Sequence, residues 1–423
     1  MENSSHENFD AAWPVDVYFP RAKVVADCLT DKRRVIYRYF AREEGMLFGT
    51  PFIKSLMEDS LIGTTGLERK DWPIIRILPE GAYFKPAQVI MEIETIFQLS
   101  VAAETSILGI LSYCGAALRM NRIVKAARGR PVYAFEARHF PPPMAAMTAC
   151  AAKLGGASGT SCTTGAALAR TYEYGSPSFD RTEWIEGFKE SNPRFDLCAV
   201  GTNPHASAAI MPMEGEEDSF VIGASRLSFM APPDLPEVRN AEIFLKAFPG
   251  IPSLVLNDYS GRELDASRLA ARLFKDEPNF FGVRCDTCGE RFHQGASFPN
   301  RDLMVSEFKM SREDKWKFGR GVTIELLKNV RKAMDGEENG KRLKIMASSG
   351  FNEAKTAFFD KEGAPFDSVG TGSYVHLIGV TSDIVAVKRG DGEWKRRVKA
   401  GREWLADKKP EGLIELRWAY SGE

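Results

Sequence analysis

In the stretch Phe281-Gly-Val-Arg284-Cys-Asp286-Thr287, an arginine and a carboxylate stand two residues apart at the end of a short apolar run. On a strand that spacing sends both side chains to the same side. At the exit of a strand in an α/β protein they face the ligand crevice rather than the packed layers. Six more residues read as strand-exit residues on the same face: Arg138, Ser161 (after the glycine-rich turn 155–160), His205, Asp258, Gly350 and Gly370. Together they suit an anionic, phosphorylated ligand. Arginine grips carboxylate or phosphate in bidentate fashion. Glycine turns let backbone N–H groups approach a phosphate at a helix N-terminus. The carboxylates suit a cationic transition state, a ribose diol or the waters of a bound Mg²⁺. A histidine after a strand is as readily a satisfied core residue, and a lone glycine there as readily an ordinary turn. What lifts these residues is their number on one face.

The elements needed to position them are legible as alternating apolar runs and helical stretches. Apolar runs at 131–135, 197–200, 254–256, 281–283 and 343–347, and the segment 367–374, are each followed by polar or glycine residues and most by a helical stretch. Such alternation implies a parallel α/β barrel or doubly wound sheet with loops on one functional face. Before it, residues 16–30 and 51–59 read as helical, 34–39 as a strand, 82–93 as extended, and 94–127 as one long helical region. After it come a strand from 381, a turn at Gly390-Asp-Gly392 and a basic run from Lys395 to Arg402. The expected architecture is an irregular parallel α/β barrel over 130–376. A discontinuous α+β domain joins residues 1–129 to a returning segment, 377–423. The acidic, then proline-rich stretch 214–236 reads as a surface insertion.

Composition sets limits. The 423 residues are 44% hydrophobic and 27% charged, with a formal net charge of -1. A near-neutral chain lacks the basic excess of a general nucleic-acid or membrane-surface binder. The apolar region 89–118 contains Glu92, Glu94 and Glu104, which disfavour a membrane span. Seven cysteines at 28, 114, 150, 162, 198, 285 and 288 are scattered and odd in number. That pattern suits reduced thiols in a cytoplasmic enzyme. Cys285 and Cys288 have the spacing of a redox or zinc motif, but no second pair stands nearby, and no metal site made of protein side chains is expected. If the basic run reaches the barrel mouth, Lys395 and Arg396 could clamp a diphosphate.

In their order along the chain, these motifs resemble the nicotinate phosphoribosyltransferase family. The resemblance rests on Phe135-Glu-Ala-Arg138, Gly155-Gly-Ala-Ser-Gly-Thr-Ser161, Gly201-Thr-Asn-Pro-His205, Val283-Arg-Cys-Asp286-Thr287, Ser349-Gly350, Ser368-Val-Gly370-Thr371 and Lys395-Arg-Arg-Val-Lys-Ala-Gly401. It implies nicotinate, phosphoribosyl diphosphate and ATP as substrates, with Mg²⁺ carried on the diphosphate. Phe135 and Arg138 would then hold the pyridine acid, and His205 would be transiently phosphorylated by ATP. Arg284, Asp286 and Thr287 would border the ribose and diphosphate, with Asp258 in the catalytic set beside them. Gly350, Gly370 and Thr371 would take the 5′-phosphate. Tyr18 is similar to an aromatic that stacks in a neighbouring subunit's site, which implies a homodimer. Ser161 stands where nicotinamide-using relatives carry an aspartate, and a hydroxyl that can donate to a carboxylate favours nicotinate. The run Asp286-Thr-Cys-Gly-Glu290 departs from the family's usual Asp-Ser-Gly-Asp. Competing readings are a nicotinamide-type enzyme, a quinolinate-type enzyme, which would need a second cationic cluster, and a non-catalytic nucleotide sensor.

Overall fold

The computed structural model describes residues 15–29, 32–62, 71–101, 103–138, 140–171, 203–297, 310–390, 392–416 and 418. The expected strand at 197–200 and the motif residues Gly201 and Thr202 lie outside them.

Both ends of the chain build one antiparallel sheet. Its strands are β1 (Arg33–Ala41), β3 (Ile74–Ile77), β5 (Val89–Ile96), β14 (Val380–Arg389), β15 (Lys395–Arg396) and β16 (Ile414–Glu415), in the order β15-β14-β1-β5-β3-β16. Two short strands, β2 (Gly45–Met46) and β4 (Tyr83–Phe84), pair separately. Charged side chains knit neighbouring strands: Glu92 on β5 accepts from Arg38 on β1 at 2.9 Å and from Arg76 on β3 at 3.2 Å. Arg38 also donates to the carbonyls of Leu405, Ala406 and Lys408, fastening the C-terminal helix Glu403–Asp407 to the sheet.

The single long helix expected over 94–127 is instead the end of β5 and three helices: Phe97–Ser100, Glu104–Ser112 and Cys114–Ala126. Met91-Glu-Ile-Glu-Thr-Ile96 alternates in polarity, and Glu94 pairs with Arg34 across β1, so the segment satisfies its charges as a strand. Residues 104–126 are long and apolar enough to cross a membrane by composition, yet the greater part of that stretch is buried inside the protein, where it packs as core helix.

The second sheet is wholly parallel. Its strands β10 (Ser253–Leu256), β11 (Phe280–Cys285), β12 (Lys344–Ala347), β13 (Ser368–Thr371), β6 (Val132–Ala134) and β7 (Gly159–Thr160) lie in that order and curl into a half-barrel. The expected α/β class with a parallel barrel-like sheet is what the chain forms. Helices Glu263–Leu273, Ile324–Asp335 and Glu353–Lys361 follow strands of this sheet. The last two start where side-chain caps allow: Thr323 accepts from the N–H of Leu326, and Asn352 from that of Lys355. Burying Leu326, Leu327, Val330 and Met334 on one face of Ile324–Asp335 contributes roughly 1.5–3 kcal/mol per side chain.

β11 differs from a uniformly buried run. Phe280, Val283 and Cys285 face the core, while Phe281 is 46% exposed. Gly282, at φ +145°, breaks the alternation, and a Cβ there would lie 2.0 Å from the carbonyl oxygen of Lys344 on β12. Only glycine lets the two strands close at this point. Residues 214–236 carry a largely exposed hairpin, β8 (Ser219–Ile222) and β9 (Ser225–Ser228). Arg239, itself buried, holds its base by donating to the carbonyls of Ala231 and Pro212 and pairing with Asp218.

Candidate active site

The exits of β10 and β11 place four charged side chains together. His205, first residue of the short helix His205–Ala208, sets its Nε2 2.9 Å from Asp258 Oδ1, just beyond β10. The Asp258 side chain is 7% exposed and that of His205 45%. The hydrogen bond to Asp258 holds the imidazole above its ordinary pKa; the Asp286 charge adds to this, while burial and the nearby Arg284 oppose it. With Nε2 turned to the carboxylate, a neutral His205 carries its proton there and keeps the Nδ1 lone pair free.

Arg284 and Asp286 point to the same side of β11, as their spacing requires, and they bond to each other. Arg284 Nη2 donates to Asp286 Oδ2 at 2.7 Å, and its Nε donates to Ser348 Oγ at 2.9 Å. Ser348, just after β12 and 1% exposed, is also 2.7 Å from Asp286 Oδ1. Both carboxylate oxygens thus have protein partners. The Arg284 guanidinium lies 4.7 Å from the centre of the Phe135 ring, which follows β6. That ring sits tight against Gly370, where a Cβ would be 2.2 Å from Phe135 Cε2. Arginine, aromatic ring and bare glycine backbone therefore form one stack across three strand exits.

The turns after β12 and β13 interlock through backbone. Ser349 and Gly350 are both left-handed, at φ +69° and +72°. Thr371 at the end of β13 donates its hydroxyl to the carbonyl of Phe351 and accepts from the N–H of Ser373. Beneath Phe135, buried Glu136 accepts from Tyr374 Oη at 2.9 Å and from Thr160, and burial pushes its carboxyl up.

The other expected site residues take different places. Ser161, half-buried just after β7, donates its N–H to Ala134 on β6, and Arg138 is exposed beyond β6. Thr287 has its hydroxyl turned inward, fully buried, donating to Glu263 at 2.8 Å. Glu263 is itself 0% exposed and also accepts from Arg291 and from the N–H of Gln294. This knot supports the 286–294 loop from below. Tyr18 is exposed on the helix Tyr18–Asp27 and donates to Asp16. Lys395 and Arg396 form the edge strand β15 of the antiparallel sheet rather than joining the strand exits. Arg396 pairs there with Asp407.

Sequence reading missed Ser348 and Glu263. Their roles depend on partners 62 and 24 residues away, and only the position of Ser348 after an apolar strand carried a signal. Cys285 is buried, and burial pushes its thiol up, while Cys288 is exposed. Among the described residues no cluster of three His, Cys, Asp or Glu side chains could hold a metal ion.

Comparison with known proteins bears on the fold. Residues 16–114 match the quinolinate phosphoribosyl transferase N-terminal domain family. No curated protein matches the chain. A nicotinate-nucleotide pyrophosphorylase from Pyrococcus furiosus superposes with a TM-score of 0.59 at 21% identity, over 95% of this chain and 87% of that one. The human nicotinic acid phosphoribosyltransferase superposes with a TM-score of 0.51 at 14% identity, over 89% of this chain and 75% of that one. With its antiparallel sheet and its parallel half-barrel, the chain has the fold shared by these two enzymes.

Proposed function

We propose that this protein is a nicotinate phosphoribosyltransferase of NAD biosynthesis, coupled to ATP through a phosphohistidine. The observation that carries this reading is the meeting of the His205–Asp258 pair with the Arg284–Asp286 pair, near the left-handed Gly350 turn and Gly370 in strand β13. In the reaction the C1′–O bond to diphosphate breaks and its electron pair leaves with the diphosphate. The pyridine nitrogen lone pair then forms the C1′–N bond, giving nicotinate mononucleotide with no covalent sugar–enzyme intermediate. Asp286 stabilises the cationic C1′ of the transition state, and Arg284 holds Asp286 in register while facing the phosphates. Gly350, Gly370 and Thr371 receive the 5′-phosphate, and Arg138 with Ser161 receives the nicotinate carboxylate beside Phe135. Mg²⁺ would arrive on the diphosphate, and Asp258 and Asp286 suit its bound waters.

The free Nδ1 of His205 is the nucleophile for the γ-phosphorus of ATP: a P–N bond forms as the bond to ADP breaks, while Asp258 keeps the proton on Nε2. In a homodimer the exposed Tyr18 would cover the pyridine of the neighbouring subunit.

The match of residues 16–114 to a quinolinate-type domain favours one second reading, transfer to quinolinate with loss of carbon dioxide. A product assay with phosphoribosyl diphosphate and nicotinate, nicotinamide or quinolinate, with and without ATP, separates them. The proposal expects nicotinate mononucleotide from nicotinate, faster with ATP. In His205→Ala, transfer persists and ATP no longer stimulates it. Mononucleotide from quinolinate alone would overturn the first reading, and product from none of the three would overturn both.

A further inference from the structure

Behind the turn that follows β12 lies a buried cation that the proposed reaction does not use. Lys355, in the first turn of the helix Glu353–Lys361, is 7% exposed. Its Nζ donates to the carbonyl oxygen of Ser349 at 3.0 Å and lies 4.5 and 5.4 Å from the ring centres of Phe351 and Phe359. Burial alone, with no acidic neighbour contributing, pulls this amine down to about 8. An ammonium held among aromatic faces and one carbonyl, without a carboxylate, is costly to bury.

The geometry shows what that cost achieves. In a trans peptide the C=O of one residue and the N–H of the next point in opposite directions. With the Ser349 carbonyl drawn inward to Lys355, the N–H of Gly350 faces outward. Among the described residues that N–H has no acceptor. Ser349 is also left-handed, a conformation that disfavours a residue with a Cβ unless its surroundings enforce it. The Lys355 bond is such an enforcement. The ammonium polarises the Ser349–Gly350 peptide through its oxygen, which strengthens its N–H as a donor to an anion.

We propose that Lys355 is a positioning residue for the substrate's 5′-phosphate. It grips the Ser349 carbonyl from within the core, so that the Gly350 N–H is aimed at the phosphate with a positive charge directly behind it. This rests on the phosphoribosyl reading of the site and adds to it a group that never touches the substrate.

The test uses the full chain with ribose 5-phosphate as probe, followed by calorimetry at pH 7, and nicotinate binding measured in parallel. Lys355→Met keeps the volume and removes the donor and the charge. It is expected to weaken ribose 5-phosphate about tenfold or more while leaving nicotinate binding unchanged. Lys355→Arg, which keeps both donor and charge, is expected to stay within about threefold of the parent. A filler role for the side chain predicts no such split. If ribose 5-phosphate does not bind the unmodified protein, the phosphoribosyl reading itself fails. If it binds, and Lys355→Met binds it within about twofold of the parent, only the Lys355 assignment is overturned. Should Lys355→Met not fold, Lys355→Gln, neutral but still a donor, replaces it. Ribose 5-phosphate binding weakened about threefold or more with nicotinate unaffected supports the proposal, and parental affinity for both overturns it.

Discussion

At the end of β11 the chain presents side chains: Arg284 and Asp286 are tied to each other, to Ser348 and, through the guanidinium, to the face of Phe135. One strand over, at the end of β12, it presents backbone: Ser349 and Gly350 in left-handed conformation at the start of a helix, latched to β13 by Thr371. Both lie on the same edge of one parallel sheet, yet they respond to different chemistry. A side-chain exit depends on charge and loses function when an isostere removes it. A backbone exit depends on where its peptides point, and fails when a side chain is added at a glycine that a left-handed turn or a close contact requires. That division suits a ligand with an electron-poor sugar carbon at one end and a phosphate at the other.

The largest test of the difference is Asp286→Asn, which keeps shape and removes charge. Turnover should fall by about a hundredfold or more. Near-normal kcat would mean that this carboxylate does not face the reacting carbon. The complementary break is Gly370→Ala. Its Cβ would meet Phe135 Cε2 at 2.2 Å and push the ring out from under Arg284. Overpacking of this kind costs about 1–3 kcal/mol, so a melt should show clear destabilisation, with weaker phosphoribosyl diphosphate binding beside it. An unchanged melt would show that the ring has room to yield.

Smaller in effect is Ser348→Ala, which joins the two exits. Loss of its hydroxyl leaves Arg284 Nε and Asp286 Oδ1 each short of a partner, and kcat/KM should fall about tenfold, roughly 1.4 kcal/mol. If the side-chain exit holds itself together through the Arg284–Asp286 bond alone, the variant will match the parent.

The same division explains how much could be read in the sequence. Most of the parallel sheet was legible because β6, β10, β11 and β12 are largely apolar runs closed by a polar or glycine residue, whereas β7, only Gly159-Thr160, reads as part of a glycine-rich turn. The pairing of Arg284 with Asp286 was legible because two-residue spacing fixes the side a residue faces. The stack of Arg284 on Phe135 was not, since β11 and β6 are far apart in the chain and adjacent to β12 and β13 only in the fold. Thr287 reads as a motif residue beside Asp286, but strand geometry turns its hydroxyl down to buried Glu263. Nothing in the sequence singles out Lys355; only the rings of Phe351 and Phe359 beside its amine, formed in the fold, make it a core residue. The helix expected over 94–127 failed in its first residues because alternation over 91–96 competes with an apolar helical rhythm, and cross-strand arginines decided it.

The smallest effect, and the one that best resolves the side-chain exits, concerns protons on His205. Asp258 raises its pKa chiefly through their hydrogen bond. A histidine whose folded pKa lies above its unfolded value of about 6.5 stabilises the fold fully below that pH, and loses the contribution as pH rises through the folded value. Asp258→Asn removes the charge that sustains the shift, so stability should fall less steeply with rising pH across that window. An NMR titration should place His205 lower in the variant than in the parent. Function carries the same sign. A protonated ring has no lone pair for phosphoryl transfer, so ATP stimulation should fade as pH drops through the raised pKa, and this acid limb should move to lower pH in Asp258→Asn. If the His205 titration moves but the acid limb stays in place, the ATP-linked step titrates through another group, and the β10 exit serves the fold rather than the coupling.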